Sequence, residues 1–109
     1  MAVKAKCRDA KGFESDVDMY ARIDLESFNH GAGHAGIQVG WYNDEEESKK
    51  LEDPDDAESD LIPNLDTRKY MKLYPANRAQ CKALREMNVK QRYAWLNDQD
   101  ENLAAGTEA

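Results

Sequence analysis

Glycines and histidines between residues 30 and 36 form the densest group of residues that could bind a cofactor. The run Gly-Ala-Gly-His-Ala-Gly at 31–36 matches the G-x-G-x-x-G pattern of dinucleotide-binding loops. That chemistry requires a helix directly after the glycines, because the helix N-terminus holds the pyrophosphate. Here an alternating apolar run follows instead, Ile37, Val39 and Trp41, and alternation is typical of a strand. We interpret residues 30–36 as a loop between two strands and predict no bound cofactor.

A metal site could be assembled from His30, His34, Cys7 and Cys81. Structural zinc sites usually pair their ligands at short spacing, as in Cys-x-x-Cys, because such a pair fixes half of the tetrahedron locally. The two histidines here lie in a glycine loop rather than on a helix, and the cysteines are far apart in sequence. Two loop histidines and two buried, reduced thiols are the simpler interpretation. We therefore predict no metal site.

The serines do not have the sequence context of activated nucleophiles. They lie at positions 15, 27, 48 and 59 among charged residues, whereas a nucleophile needs a base that is itself held by a third group. The acidic stretch 53–58 does not match a calcium loop either, since it lacks the glycine of an EF-hand and contains Pro54. The sequence therefore predicts a protein that is not an enzyme.

Charge is segregated along the chain, whose net charge is −7. Residues 44–60 contain ten acidic and two basic residues, whereas residues 66–95 contain eight basic and two acidic ones. Residues 98–109 are acidic again, with four carboxylates. Such segregation favours either neutralisation within the folded chain or a bipolar surface that binds another protein.

The basic segment is the best candidate for binding nucleic acid. Cationic side chains interleaved with tyrosines and Trp95 suit a single strand, because aromatic rings stack on bases. Phosphate binding depends on displacing counterions, however, and the acidic segments on both sides weaken the positive field. We therefore keep nucleic-acid binding as the alternative function. Its candidate residues are Arg68, Lys69, Lys72, Arg78, Lys82, Arg85, Lys90 and Arg92.

Apolar residues alternate with polar ones through the first 42 residues, which predicts antiparallel strands with one face in the core. The first run, Val3 to Cys7, is followed by Asp9–Gly12, a hairpin turn in which glycine can take a positive φ. The second run covers residues 13–28, with odd positions inward. Fully extended it would be about 50 Å long, too long for a small domain, so we expect a break near Asp18 to Tyr20. With the third run, residues 37–42, these form a three-stranded meander.

Residues 43–60 are predicted to form a solvated acidic linker, with one helical turn around Glu45 to Leu51. Residues 61–103 form the helical part. Within it, residues 66–74 are assigned to a helix, although they would also serve as a strand. Asn77 and Gln80 have the spacing of a capping box, and Asn88 is a candidate break between two helices. We expect residues 104–109 to fray.

Together these elements predict a single α+β domain, an N-terminal three-stranded antiparallel β-meander packed by C-terminal helices. The register predicts that Ile23→Asp unfolds the domain, whereas Asp24→Asn leaves the melting temperature nearly unchanged. The predicted core consists of Phe13, Val17, Met19, Ile23, Leu25, Ile37, Val39 and Trp41 from the sheet, with Leu84, Met87, Val89, Tyr93 and Leu96 from the helices.

The charged side of the predicted sheet is negative, and this gives the leading hypothesis for function. A negative face can dock on a basic protein surface that normally holds nucleic acid, or can join the chain to a larger assembly. We expect a small acidic protein-binding module. The kind of protein that we expect is an accessory protein of a virus or mobile element, which acts as an inhibitor or as a component of a larger assembly. The candidate partner-binding residues are Glu14, Asp16, Asp18, Asp24, Glu26, Glu45, Glu46 and Glu47.

The expected location is the cytoplasm, of the host if the protein is viral. No run in the sequence approaches the 18 or so apolar residues that a membrane-spanning helix needs. The basic N-terminal residues precede no apolar stretch of the kind found in a signal peptide. The sequence therefore predicts no contact with a membrane.

Overall fold

The computed structural model describes residues 2–8, 14–29, 35–49, 63–64 and 66–108. These residues form an α+β fold, as the sequence predicts. The antiparallel sheet has five strands rather than the predicted three and is combined with four mainly C-terminal helices. In chain order the elements are β1 Val3–Ala5, β2 Met19–Ser27, β3 Gly36–Tyr42, α1 Glu45–Ser48, β4 Tyr70–Pro75, α2 Arg78–Glu86, α3 Val89–Gln99, α4 Glu101–Ala105 and β5 Thr107–Glu108.

The strands are arranged in the order β4-β3-β2-β1-β5, so β1, β2 and β3 are consecutive antiparallel neighbours. Arg8 and Glu14 form an isolated antiparallel bridge, which extends the β1–β2 hairpin beyond the strands. The predicted turn at Asp9–Gly12 and the glycine loop at residues 30–34 lie outside the described residues. The meander predicted from the alternating pattern is confirmed.

Strand β2 departs from the predicted register at two places. It begins at Met19, because the chain bends at Asp16 and Val17, close to the expected break. A β-bulge then shifts the pairing with β3 between Ile23 and Leu25, and a bulge places one extra residue in the strand and reverses the alternation after it. As a result Leu25 is 58% exposed, and Val17, before the strand, is 68% exposed. Their assignment to the core was wrong, and Phe13 lies outside the described residues.

Residues 70–75 form strand β4, so the predicted helix over 66–74 was wrong. The strand pairs with β3 along six residues, from Trp41 with Tyr70 to Gly36 with Pro75. In its sequence, tyrosine or lysine alternates with the apolar residues Met71, Leu73 and Pro75. This composition fits a strand as well as a helix. Pairing with a neighbouring strand decided between the two, as tertiary context commonly does for short segments.

Two capping boxes start the main helices. The Asn77 side chain accepts a hydrogen bond from the Gln80 amide at 2.8 Å, and the Gln80 side chain accepts one from the Asn77 amide at 2.9 Å. Asn88 and Gln91 repeat this arrangement at the start of α3. The break at Asn88 is thus confirmed, and it is a second helix start rather than a kink. Val89, the first residue of α3, is 50% exposed, so its predicted place in the core was wrong.

The C-terminal residues are ordered into α4 and β5, so the predicted fraying of 104–109 was wrong for 104–108. Leu103 is buried, and β5 pairs with β1 through Thr107 and Glu108. Gly106 allows this approach, because a Cβ atom there would lie 2.6 Å from the carbonyl oxygen of Lys4. Apolar burial and pairing with β1 therefore hold a segment that looked too polar to fold.

The core lies between one face of the sheet, here called the inner face, and helices α2 to α4. Ile37, Val39 and Trp41 of β3 point into it, as predicted, and meet Leu84 and Leu96. Cys7 and Cys81 are both buried in it and are not joined by a disulfide, in agreement with the expected pair of thiols. In the part of the chain that the structure describes, no helix is long and apolar enough to span a bilayer.

Candidate functional site

The end of the sheet at which β2 begins and β3 ends gathers four carboxylates. Tyr20 and Tyr42 are paired across these strands, so the residue before β2, Asp18, lies beside the turn that follows β3. Between them is an open groove with a volume of about 760 Å³. We call this the acidic groove. It is lined by Lys4, Asp18, Met19, Tyr20, Asn43, Asp44, Glu45 and Glu46.

The short helix α1 presents the glutamates of the groove. Its N-cap is Asp44, whose side chain accepts a hydrogen bond from the Glu47 amide at 2.8 Å. Carboxylates in a first helical turn are stabilised by the amide groups that this turn leaves without intrahelical partners. Glu45 and Glu46 are exposed to solvent. The local sequence Asp-Glu-Glu-Glu therefore both starts the helix and concentrates negative charge at its beginning.

Helix α1 is anchored to the sheet on the face opposite the inner one, here called the outer face. Ser48 is fully buried and its hydroxyl donates to the Glu45 carbonyl at 2.6 Å. The Ser48 carbonyl accepts from Arg22 Nη1 at 3.2 Å and from the Asn64 amide at 3.0 Å, while the Thr67 hydroxyl donates to the Glu47 carbonyl. These bonds reach the helix from three other parts of the chain, so the direction of its acidic end is fixed.

The electrostatic balance of the groove is negative. Among the described residues that line it, Lys4 is the one basic residue, against the four carboxylates. Lys49, one turn after Glu45 on α1, lies 3.5 Å from the Glu45 carboxylate, but this carboxylate is 62% exposed and such pairs contribute little. Burial, followed by the nearby Glu45 charge, raises the pKa of Tyr20. The groove thus presents a neutral phenol surrounded by carboxylates at neutral pH.

Two further residues of the predicted acidic face are exposed beside the groove. Glu14 and Asp16 lie in the segment that leads to β2. Glu14 Oε2 is 3.7 Å from Arg8 Nη2, and both side chains are about half exposed. Glu14 also lines a smaller hollow of about 210 Å³, with Lys4 and Asp18 among its walls. The acidic surface therefore continues from the groove along the edge of the β1–β2 hairpin.

Asp24, assigned to the acidic face from its even position, is instead buried. Its side chain is 1% exposed, accepts a hydrogen bond from the Tyr42 hydroxyl at 2.8 Å, and lies 3.3 Å from Arg68 Nη1. Asp24 lies on the outer face, as its even position predicts, but the chain that leads into β4 covers it there through Arg68. Gly40 makes room for it, since a Cβ there would overlap the Asp24 carboxylate. Burial raises the pKa of Asp24, although Tyr42 and Arg68 act in the opposite direction.

Glu26 and Glu47 also differ from the prediction. After the bulge Glu26 faces the helices, where its carboxylate lies 2.7 Å from Arg92 Nη1 and both side chains are largely buried. Glu47 is partly buried against the sheet. Of the eight predicted residues, the structure brings Asp18, Glu45 and Glu46 together in the groove. Asp44 and Lys4 were not among the residues predicted from the sequence. The N-cap position of Asp44, directly before three glutamates, was a signal that could have identified Asp44.

The basic residues of the alternative site are divided between internal pairs and solvent. Arg68 forms an ion pair with Asp24 and Arg92 forms one with Glu26, while Lys72 lies 3.6 Å from Asp100. Arg85 donates to the Phe28 carbonyl, and Arg92 stacks over the Phe28 ring at 4.8 Å. The exposed remainder is Lys69, Arg78, Lys82 and Lys90. Part of the charge segregation in the sequence is therefore resolved by neutralisation within the fold.

A buried polar cluster joins β4 to the start of α4. The Tyr74 hydroxyl donates to Asp100 Oδ2 at 2.5 Å, and the other Asp100 oxygen accepts from the Asn102 amide at 2.9 Å. Burial works against ionisation, but these hydrogen bonds and Lys72 outweigh it and hold the pKa of Asp100 below its usual range. Burial and the same carboxylate raise the pKa of Tyr74. The Asp100 charge is therefore neutralised inside the protein and is not available to a partner.

Replacement of Asp100 by asparagine should make the protein less sensitive to acid. Asparagine keeps the N-cap of α4 but removes the negative charge. We expect a loss of about 1 to 2 kcal/mol in the free energy of unfolding at neutral pH. Because the folded pKa is lowered, the contribution of Asp100 is present above the unfolded value of 3.8 and is lost as pH falls below it. Urea unfolding at neutral pH and near pH 3 measures this, and an equal difference at both would contradict it.

The described residues contain no group of three or more histidine, cysteine, aspartate or glutamate side chains placed to hold a metal ion. The groove carboxylates thus do not converge on one point, and solvent separates them. His30 and His34 lie outside the described residues. What the groove offers is an open, fixed, negative surface, which suits contact with cationic side chains better than coordination.

Comparison of the chain with protein-family models, with curated proteins and with solved structures finds no match. The function of the groove must therefore be argued from its own geometry and charge.

Proposed function

We propose that this chain is a small protein-binding module that docks on a basic surface of another protein through its acidic groove. The observation that carries the proposal is the cluster of Asp18, Asp44, Glu45 and Glu46 around one open hollow, held on a sheet end and an anchored helix. Lysine and arginine side chains have long apolar stems and charged heads, so they can enter such a hollow beside Met19 and Tyr20.

The fold supports a docking surface at this place for an electrostatic reason. Three carboxylates elsewhere in the fold, Asp24, Glu26 and Asp100, are each matched with a basic side chain and contribute little outside field. The groove carboxylates are exposed and carry most of their charge into solvent. A field concentrated in one cleft steers an oppositely charged partner and raises its association rate. Basic surfaces that normally hold nucleic acid are the class of partner with the matching charge.

Charge reversal in the groove tests the proposal. The variant Asp18→Lys/Glu46→Lys should bind a synthetic octalysine peptide at least about tenfold more weakly than the unmodified chain, because two attractive charges become repulsive. The control is Glu86→Lys/Asp98→Lys, which makes the same change in net charge at exposed helical positions. Isothermal titration calorimetry at near-physiological salt measures both. If the two variants lose affinity equally, binding depends on net charge alone and the proposal is wrong.

Nucleic-acid binding is the second candidate, and one observation favours it. Arg78, Lys82 and Arg85 recur at helical intervals on the solvent side of α2, so they form one cationic stripe. A titration with single-stranded and duplex DNA at about 50 mM salt tests this candidate, since phosphate contacts are strongest at low salt. Binding lost in Lys82→Glu supports it, and the absence of binding at this salt concentration eliminates it.

A further inference from the structure

Strand β4 is an edge of the sheet. Its one strand neighbour among the described residues is β3, and the order of strands ends there. Edge strands expose a row of backbone donors and acceptors, and proteins usually protect them with charges, prolines or short length. Here the strand is six residues long, its proline stands at the last position, and it has a single charged side chain, Lys72.

The phase of the hydrogen-bond ladder shows which groups point away from β3. The Ala76 amide donates to the Ala35 carbonyl at 2.9 Å, directly after the pairing of Gly36 with Pro75. In an antiparallel ladder, bonded and non-bonded pairs alternate, so Tyr74 and Lys72 bond to β3. The N–H and C=O groups of Met71 and Leu73 therefore point outward, where another strand could pair with them.

The same two residues carry exposed apolar side chains. Met71 is 51% exposed and Leu73 is 42% exposed. Both lie on the outer face, because they pair with Gly40 and Gln38 of β3, opposite to the core residues. With Leu25, which the bulge turns outward, they border a hollow of about 290 Å³. Within the described part of the chain, backbone groups that no strand pairs with and apolar surface thus coincide at one edge.

Charge selects the kind of strand that fits. Lys69 and Lys72 are exposed at this edge. Lys72 Nζ lies 3.6 Å from Asp100 Oδ2, so the Lys72 charge is neutralised only in part. A second copy would bring these lysines into one seam with their own equivalents, between two chains that each carry a net charge of −7. Like charges opposed across a strand pair destabilise it. An acidic strand instead places negative charges beside these lysines, so charge complementarity at this edge favours a peptide of a different protein.

We propose that β4 binds an extended acidic peptide by antiparallel strand addition. The peptide residues opposite Met71 and Leu73 are apolar and extend the apolar surface of the outer face. The residue between them, opposite Lys72, is acidic, and a second acidic residue lies opposite Lys69. This site is on a different surface from the acidic groove and takes a ligand of opposite charge, so it holds or fails independently of the proposed function.

The test uses the full chain and the labelled peptide acetyl-Thr-Val-Glu-Val-Thr-Glu-amide, whose valines align with Leu73 and Met71. We expect saturable binding by fluorescence anisotropy and slower amide exchange at both protein residues by NMR. The control peptide is N-methylated on both valines, which removes the donors of the ladder but keeps the charges. It should bind at least about tenfold more weakly, since several hydrogen bonds are lost. Equal binding of both peptides, or unchanged exchange, would overturn the proposal.

Variants of the chain separate backbone pairing from charge. Leu73→Pro removes an outward N–H, a change that edge strands tolerate, and should weaken binding by about tenfold. Lys69→Glu should weaken it severalfold, whereas Lys82→Glu, the same change on α2, should not. If Leu73→Pro unfolds, as circular dichroism would show, the methylated peptide still decides the question. A concentration-dependent dimer in sedimentation that Lys69→Glu strengthens would assign the edge to a second copy and overturn the proposal.

Discussion

Replacement of Arg68 by methionine lowers the free energy of unfolding by about 2 to 4 kcal/mol, because it leaves the Asp24 carboxylate without its counter-charge inside the fold. The carboxylate is 1% exposed, so water can replace the lost partner only in part. The Tyr42 hydroxyl still donates to the carboxylate at 2.8 Å, but it carries no charge. For a chain of this size the melting temperature falls by about 10 °C or more.

The matched control for this prediction is Lys69→Met. Lys69 is an exposed lysine one residue before β4, and its replacement should change stability by less than about 0.5 kcal/mol. Asp24→Asn and the double variant complete a thermodynamic cycle that isolates the coupling between the two charges. Unchanged thermal unfolding of Arg68→Met would mean that the Asp24 carboxylate is solvated rather than paired.

Alkaline pH should unfold the protein steeply. Three of its five tyrosines are buried, and burial is the main reason that the pKa of each is raised, to about 12 for Tyr93. Tyr42 and Tyr74 also donate to Asp24 and Asp100, which would repel a phenolate. Above the unfolded value of 10.0 the unfolded chain loses these three protons while the native chain keeps them. Stability therefore falls as pH rises, by about 4 kcal/mol per pH unit near pH 11.

Urea unfolding at a series of pH values above 10 measures this slope, and absorbance at 295 nm records phenolate formation. Most of the phenolate signal should appear together with the loss of circular dichroism rather than before it. Tyr74→Phe should reduce the slope by about 1.4 kcal/mol per pH unit, since one proton is removed from the balance. Ionisation of the buried tyrosines in a chain that still has native circular dichroism would contradict the prediction.

Local signals in the sequence were sufficient for several elements. The alternating runs identified β1, β2 and β3 as neighbours, and the Asn77 to Gln80 spacing placed the start of α2 at its capping box. These features depend on residues close in the chain, so a pattern can reveal them. The strand β4 could not be decided in this way, because its residues suit either structure and its partner, β3, is about thirty residues earlier.

The candidate site was predicted in part, and long-range contacts explain most of the difference. The period of two placed Asp24 on the outer face, which is where it lies. Arg68 and Tyr42, which are distant in sequence, cover and bind it there, so no local pattern could show that it is buried. Glu26 is turned to Arg92 by the register slip at the bulge. Asp18, Glu45 and Glu46 escaped this error because they lie outside the strands.

The pairing of β5 with β1 has a consequence for how the molecule reaches its final form. Val3 lies opposite Glu108, so this contact closes a loop of nearly the whole described chain and forms at a high cost in chain entropy. During synthesis, β1 keeps an open edge until residues 107 and 108 have left the ribosome. A nascent chain stalled before that point should therefore be more prone to aggregate than one that includes β5, because β5 protects the open edge of β1.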